Sequence, residues 1–594
     1  MPALSLGSAA DLRSHKRVAT RPAPQKNAGS NLMLEYTGAA CGIAVEALSA
    51  ELRAGWFYRL SLTGPISNRI HFHPVDTRPH RLEEADAYFR GRFRFAGESV
   101  DVAAGSVFDV AAPSPAFAEA LHGFEWLRHI EAAGGEVARK SALKLSGEWL
   151  ERHARYGKPA WQPEIIGLRF INLLAHGRFF LANSDLVWRS RFYVSLRNQA
   201  RVLARTVPHA PEGLPKLHAA AGLTLAGLCL MDARAASQGL AFLVEEIDKQ
   251  ILPDGGHVTR SPEALLDSFR VLSMVQQAID AARREVQPHV RSALDRMAPM
   301  MRFFRMGDGG LGLFNGGGES DSRQIESLLD RDDAHGKPFA HAPHSGFQRV
   351  AAGKSLVLFD VGAPPQGAFA ADAHAGCLSF EMSAGTHRLI VNCGSARHHK
   401  EPWFSAVRAT AAHSTLTLAD TSSAAMLPEG WRRRMLGPRL LARDGRTQTR
   451  RSETAEGVVV EANHNFYEPM FGVQHERFLT LSPRGLILSG VDQLRPRRRK
   501  SGRNPNLAFA IRFHIHPDIR LSLAHGGASV LLKLPNGEGW RFRCDSGGAL
   551  AIEESIYLGS GQLRRAEQVV VSGHVRDEEI AIAWVLEQVG AAGG

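Results

Sequence analysis

The hydrophobic rhythm of this chain switches from helical to alternating past its middle, and that change constrains its fold more than any other feature. From Pro115 to about Phe304 apolar residues recur at i, i+3, i+4 and i+7, as in FAEALHGFEWLRHIEAAGG, PEIIGLRFINLLAHGRFFLA and LPKLHAAAGLTLAGLCLMDARAA. Gly or Pro closes most of these segments, so the pattern predicts amphipathic helices. Helical hairpins in a row, none able to bury its face alone, imply an array or toroid. After the glycine-rich stretch Arg305–Asp321 the period drops to two, in SLVLFDVG, STLTLAD, GVVVEANHNFY, FAIRFHIHP and EIAIAWVLE. Alternating runs bounded by Gly, Asn, Asp and Pro predict an antiparallel β-sandwich. Helices first and strands afterwards make two packed domains, with a cleft between them as the expected binding site.

The chain has 594 residues, 44% of them apolar and 22% charged, which excludes wholesale disorder. No apolar run approaches the ~18 residues of a membrane span. Five cysteines, Cys41, Cys229, Cys377, Cys393 and Cys544, are far apart and form no C-x-x-C pair, which argues against a disulfide framework and a zinc ribbon. The first 31 residues are expected to be a disordered arm; they lack the apolar core of a secretory signal. A cytoplasmic location is therefore expected. A net charge of +11 favours polyanionic partners, either nucleic acid or an acidic polysaccharide. The basic run Arg495–Lys500 has no interleaved aromatics and reads as a solvated hairpin loop rather than a nucleic-acid site. GDGGLGLFNGGG lacks the G-K-[ST] ending of a phosphate loop and reads as the domain connection.

Three polar residues fall on or beside consecutive strands: His374, Asn392 and His413. Two imidazoles and an oxygen donor would suit zinc, whereas ordinary turn and core hydrogen bonding is the plainer alternative. His514 and His516 alternate on one strand and so share a face. His398, His399 and Trp403 sit in a loop that combines basic and aromatic side chains, as carbohydrate contacts often do.

The helical region, then DAHAGCLSFE, LIVNCG and AHSTL in that order, resembles the heparinase II/III family of polysaccharide lyases. ILPDGGHVTRSP (251–262), HSGFQRV (344–350), ANHNFY (462–467) and the following His475-Glu-Arg477 fit the same resemblance. It implies an α+β multidomain fold, with an N-terminal (α/α) helical toroid followed by a C-terminal antiparallel β-sandwich. The expected divisions are 1–31, a small strand-bearing region at 32–114, the toroid at 115–330 and the sandwich at 331–594. It also implies β-elimination of an acidic, uronate-containing polysaccharide such as a glycosaminoglycan or exopolysaccharide. That chemistry needs a group to neutralise the C5 carboxylate, a base for the C5 proton and an acid for the leaving oxygen. Family members are usually exported, which makes the periplasm or cell envelope the alternative location.

Carried over residue by residue, the resemblance is incomplete. Where the family has its first sandwich histidine, this chain has Asp372. His374 and His413 match zinc ligands, and Asn392 replaces the usual acidic one, so a structural zinc and a metal-free histidine pair are both open. The family tyrosine aligns with Glu263-Ala264-Leu265, and His209 is the remnant of an Asn-His pair. If lyase chemistry persists, His257 is the expected base, Arg260 the carboxylate holder and Asp372 a proton carrier or orienter. Arg477, His398, His399 and Trp403 are then substrate contacts. The alternatives are a non-catalytic acidic-polysaccharide-binding relative and a uronate C5-epimerase.

Overall fold

The computed structural model describes residues 58, 61–64, 67–181, 184–284, 287–330, 336–397, 399, 403–441, 445–497, 506–544 and 548–590. The expected arm, His398 and residues 498–500 of the basic run lie outside them. A short helix, α1 (Leu82–Phe89), and a two-stranded hairpin (Arg92–Phe95 with Glu98–Asp101) precede the toroid. FRFR alternation puts Phe93 and Phe95 into the core and both arginines in solvent.

The toroid helices are α2 (Pro115–His122), α3 (Leu127–Ala133), α4 (Gly135–Arg152), α5 (Pro163–His176), α6 (Leu186–Thr206), α7 (Leu214–Cys229), α8 (Ala233–Gln250), α9 (Pro262–Ala281) and α10 (Pro288–Phe304). Their starts follow capping chemistry: Ser114, Asp185, Asp232 and Ser261 each accept a backbone N–H of the first turn. Ser261 caps α9 and Pro262 opens it, as its sequence predicts. Helix α7 is buried almost all round and lies against α5, α8 and α9. Two glycines permit its closest contact. A Cβ on Gly222 would stand 2.5 Å from Gly167 Cα of α5, and one on Gly167 would stand 2.4 Å from the His218 carbonyl. This close crossing fixes where His218 sits.

The sandwich is two antiparallel sheets. The inner sheet runs Ala549–Tyr557, Arg564–Val575, Leu507–Ile515, His387–Val391, Phe380–Ala384, Ser355–Asp360, Phe347–Ala352, His341–Ala342, with Leu416–Leu418 also paired to Leu507–Ile515. The outer sheet runs Thr447–Thr454, Gly457–His464, Val473–Leu481, Ile487–Pro496, Ile580–Gln588, Gly539–Cys544, Ser529–Lys533, Arg520–Ala524. Phe380, Phe513, Phe542 and Trp584 interleave between them. Phe347, Leu356 and Leu358 of the inner sheet belong to the toroid's own apolar core, so this edge of the sheet packs into the toroid, while a separate core lies between the two sheets. Among the described residues no helix is long and apolar enough to cross a membrane.

Candidate functional site

One side of the seam between the domains is sealed. In the loop before α9, Asp254 accepts the backbone N–H of His344 and Ser345 at 2.9 and 2.7 Å and the Ser345 hydroxyl at 2.8 Å. Arg260, held at φ +58°, donates to the carbonyls of Ser345, Gly346, Gly362 and Ala363 and pairs with Asp360. The Phe347 ring lies beneath its guanidinium. Arg260 is therefore a buried tie between domains and has no face for a substrate carboxylate. His257 is 1% exposed. Its Nε2–H donates to Gln250 Oε1 at 3.0 Å, and Nδ1 lies 2.7 Å from the Thr259 hydroxyl. Burial pushes its pKa down to about 3, so it is neutral and enclosed. The expected base and carboxylate holder are structural residues.

The three expected zinc ligands do come together, each with hydrogen-bond partners of its own. His413 Nδ1–H donates to the Ala409 carbonyl at 2.8 Å, which leaves Nε2 to accept from His374 Nδ1–H at 3.0 Å. Asn392 has spent its amide: Oδ1 accepts the Ser414 N–H at 3.0 Å and Nδ2 donates to the Leu313 carbonyl at 3.2 Å. Two mutually satisfied imidazoles and an engaged neutral amide do not make a zinc donor set. Among the described residues no group of three or more His, Cys, Asp or Glu side chains could hold a metal ion. Arg477, expected at substrate, is fully buried inside the sandwich. It pairs with Asp492 at 2.8 Å and donates to the carbonyls of Leu378 and Ser414, over the Phe380 ring. His514 is buried as well, donating to the Ala411 carbonyl, while His516 lies beside Glu319 and Asp518.

The other side of the seam is open, and charged groups from both domains meet there. From the sandwich come Asp372 and Arg397, joined as a half-exposed ion pair. From the toroid come Glu263 at the start of α9 and Glu119 on α2. Asp372 first, then Glu263 and Glu119, favour the charged form of Arg397, so three carboxylates face one guanidinium. The backbone passes between Asp372 and Glu263 as Gly316-Gly317-Gly318. A Cβ on Gly316 would meet Asp372 at 3.1 Å, and the Gly318 N–H donates to Glu263 Oε2 at 2.9 Å. Partial desolvation beside the seam pushes the Glu119 carboxyl above its ordinary range, with His218 and Arg397 pulling the other way, although the residue keeps a face in solvent.

Deeper in the toroid, His218 Nε2 lies 2.6 Å from Asp267 Oδ2, and Arg270 holds the other carboxylate oxygen at 2.5 Å. Arg270 continues to Asp76 at 3.6 Å, which also binds Arg78 and His176. Burial opposes ionisation of Asp267, but Arg270 and His218 hold its carboxyl well below the usual range. The result is a His–Asp dyad beside a carboxyl of raised pKa, an arrangement able to exchange protons or hydrogen-bond sugar hydroxyls. The sequence contained a signal for it: His218 falls in the mostly apolar LPKLHAAAGLTLAGLC, and Asp267 and Arg270 stand at i, i+3 on the neighbouring helix.

Of the remaining expected residues, His209 is exposed at the end of the short turn Val207–His209. Trp403 is 37% exposed and opens the turn Trp403–Ala406, whose Phe404 shares a small pocket with Asp372 and Arg397. His399 Nε2 reaches towards the Gly561 carbonyl. This loop borders the open side of the seam.

The sandwich, residues 334–585, matches the family described as Heparinase II/III-like, C-terminal. FtsZ-localized protein C of Caulobacter vibrioides (strain NA1000 / CB15N) is 32% identical over 569 residues, covering 92% of this chain and 96% of that protein. The chain belongs to the heparinase II/III-like family. Its fold is shared with heparinase III, at a TM-score of 0.67 and 14% identity over 94% of this chain and 92% of that one. Heparan sulfate lyase HepC from Pedobacter heparinus aligns at a TM-score of 0.55 and 15% identity over 96% and 92%. At such identities the likeness is one of fold, and activity must be argued from the residues of the cleft.

Proposed function

We propose that this chain is a saccharide-binding member of the heparinase II/III-like family that has given up elimination by the family route. One observation carries the reading: the stretch aligned with the family's tyrosine, Glu263-Ala264-Leu265, and the position of its first histidine, Asp372, contribute carboxylates, of which Asp372 pairs with Arg397 and Glu263 acts on its charge. A carboxylate cannot neutralise another carboxylate, and Arg397 is already paired with Asp372. Uronate binding and C5 deprotonation are both opposed by this charge arrangement. Neutral or amino-bearing sugars suit it better, because carboxylates accept from hydroxyl and ammonium groups.

The name of the Caulobacter relative associates that protein with FtsZ, and we extend this association to the present chain as a division-site role for its glycan cradle. Two measurements test the proposal. Purified protein incubated with heparan, alginate and hyaluronan is expected to yield no unsaturated-uronate absorbance, while binding is measurable to neutral or amino-sugar oligosaccharides. A rising absorbance would overturn it. A fluorescent fusion that ignores the FtsZ ring would remove the division-site part alone.

A second reading is favoured by the His218–Asp267 dyad. Elimination or epimerisation of an acidic polysaccharide would then use His218 as base and Arg397 as carboxylate partner. It requires turnover that disappears in His218→Ala.

A further inference from the structure

We propose that the toroid carries a second binding site, for a phosphorylated small molecule with an apolar portion, in the groove between α6, the end of α7 and the start of α8. The groove encloses about 960 Å³, within the size range of small-molecule sites. It shares no residue with the open side of the seam.

Its chemistry is set by arginine. Helix α6 carries Arg197, Arg201 and Arg205 four residues apart, so three guanidinium groups follow one another along one face, and Arg234 of α8 joins them. The hydrogen bonds of the first three go to neutral acceptors. Arg197 donates to the Gly64 carbonyl and to Asn198 Oδ1, Arg201 to the carbonyls of Leu62 and Thr63, and Arg205 to Ser61. Each guanidinium has five N–H donors, so these bonds leave donors over and cancel no charge. Among the described residues the one carboxylate in the lining is Asp232, whose Oδ1 caps α8 through the Arg234 and Ala235 N–H groups. Burial, and then the charge of Arg201, push the Arg197 pKa down, as expected where cations crowd one face.

Holding like charges along one helix face is unfavourable unless an anion completes them. Forked guanidinium donors match phosphate oxygens, and several such groups suit a multiply charged phosphate better than one carboxylate. The opposite wall is apolar, with Ala226, Leu230 and Met231, and Met231 is 64% exposed. A ligand with a phosphate end and an apolar or aromatic body would cover both.

Calorimetry on the full chain with inorganic pyrophosphate and with ADP tests this, alongside flotation with phosphatidylglycerol and phosphatidylcholine vesicles. We expect saturable, salt-weakened binding to at least one anionic probe. Arg205→Gln and Arg234→Gln should each weaken it about tenfold or more, the worth of a charge-assisted contact. Arg205 also anchors Ser61, so Arg234→Gln, which leaves every contact with residues 61–64 in place, separates binding from folding. Binding to the soluble probes identifies a free phosphoester as the source, and binding only to phosphatidylglycerol vesicles identifies a lipid headgroup. No binding to any anionic probe, or binding indifferent to both substitutions, would overturn the proposal.

Discussion

Arg260 and Glu263 are three residues apart where α9 begins, and they meet the sandwich in opposite ways. Arg260 is enclosed, with Asp360 and four carbonyls around it. Glu263 is half-buried at the open side, held by the Gly318 N–H and facing Arg397. The first belongs to a joint that fixes how the domains sit. The second stands on the open wall of the cleft. A joint built from buried charge and backbone carbonyls tolerates almost no substitution, whereas a cleft wall tolerates a change of charge without loss of fold. That difference allows a chain to keep the family's architecture while its cleft diverges.

The contrast breaks most directly at Arg260. Replacing it with Ala leaves Asp360 buried without its partner, a situation that costs about 3–5 kcal/mol. Chemical denaturation should show that loss, and a cost below about 1 kcal/mol would mean that the joint is not what holds the seam. His257→Gln comes next. It removes a fully enclosed imidazole with two committed nitrogens and should cost about 1–3 kcal/mol, with saccharide binding unchanged in the folded variant.

Acid sharpens the same comparison. The His257 pKa is about 3 in the folded chain and near the ordinary 6.5 when unfolded. As pH falls below about 6.5 the unfolded chain takes up this proton first, so stability drops by up to about 1.4 kcal/mol per pH unit until the folded pKa is reached. Wild type should therefore lose about 2 kcal/mol more than His257→Gln between pH 6.5 and pH 5. Parallel pH profiles for the two proteins would show that the imidazole is not held neutral.

Much of the architecture was legible in sequence because periodicity reports burial directly. The switch after Arg305 separates helices from strands, and Ser261-Pro262 marks the start of α9. Two motifs that carry the family resemblance lie at the seam, on its sealed face. ILPDGGHVTRSP and HSGFQRV do meet in space, yet Arg260 and His257 lie on the sealed side, because Asp254 and Asp360 pull that loop into the joint. Spacing along a chain carries no information about which side of a turn faces solvent. Arg477 was misplaced for a related reason: Asp492, its partner, lies on the adjacent strand and cannot be paired with it by sequence alone. Glu119, Glu263 and Arg397 converge from three distant segments, and only the packed structure brings them together.

The smallest expected effect lies on the open side. The Asp372–Arg397 pair is about one-third exposed, so Asp372→Asn should change stability by no more than about 1 kcal/mol. Its consequence is electrostatic. Removing one carboxylate releases Arg397 and lowers the repulsion that a uronate meets, so acidic oligosaccharides should bind several-fold more tightly, and less so at high salt. Weaker binding of every saccharide would instead make Asp372 a ligand contact, because a side chain whose role is only to occupy Arg397 cannot reduce affinity when it is neutralised. The sign of that change therefore decides whether the acidic lining excludes one class of sugar or grips another.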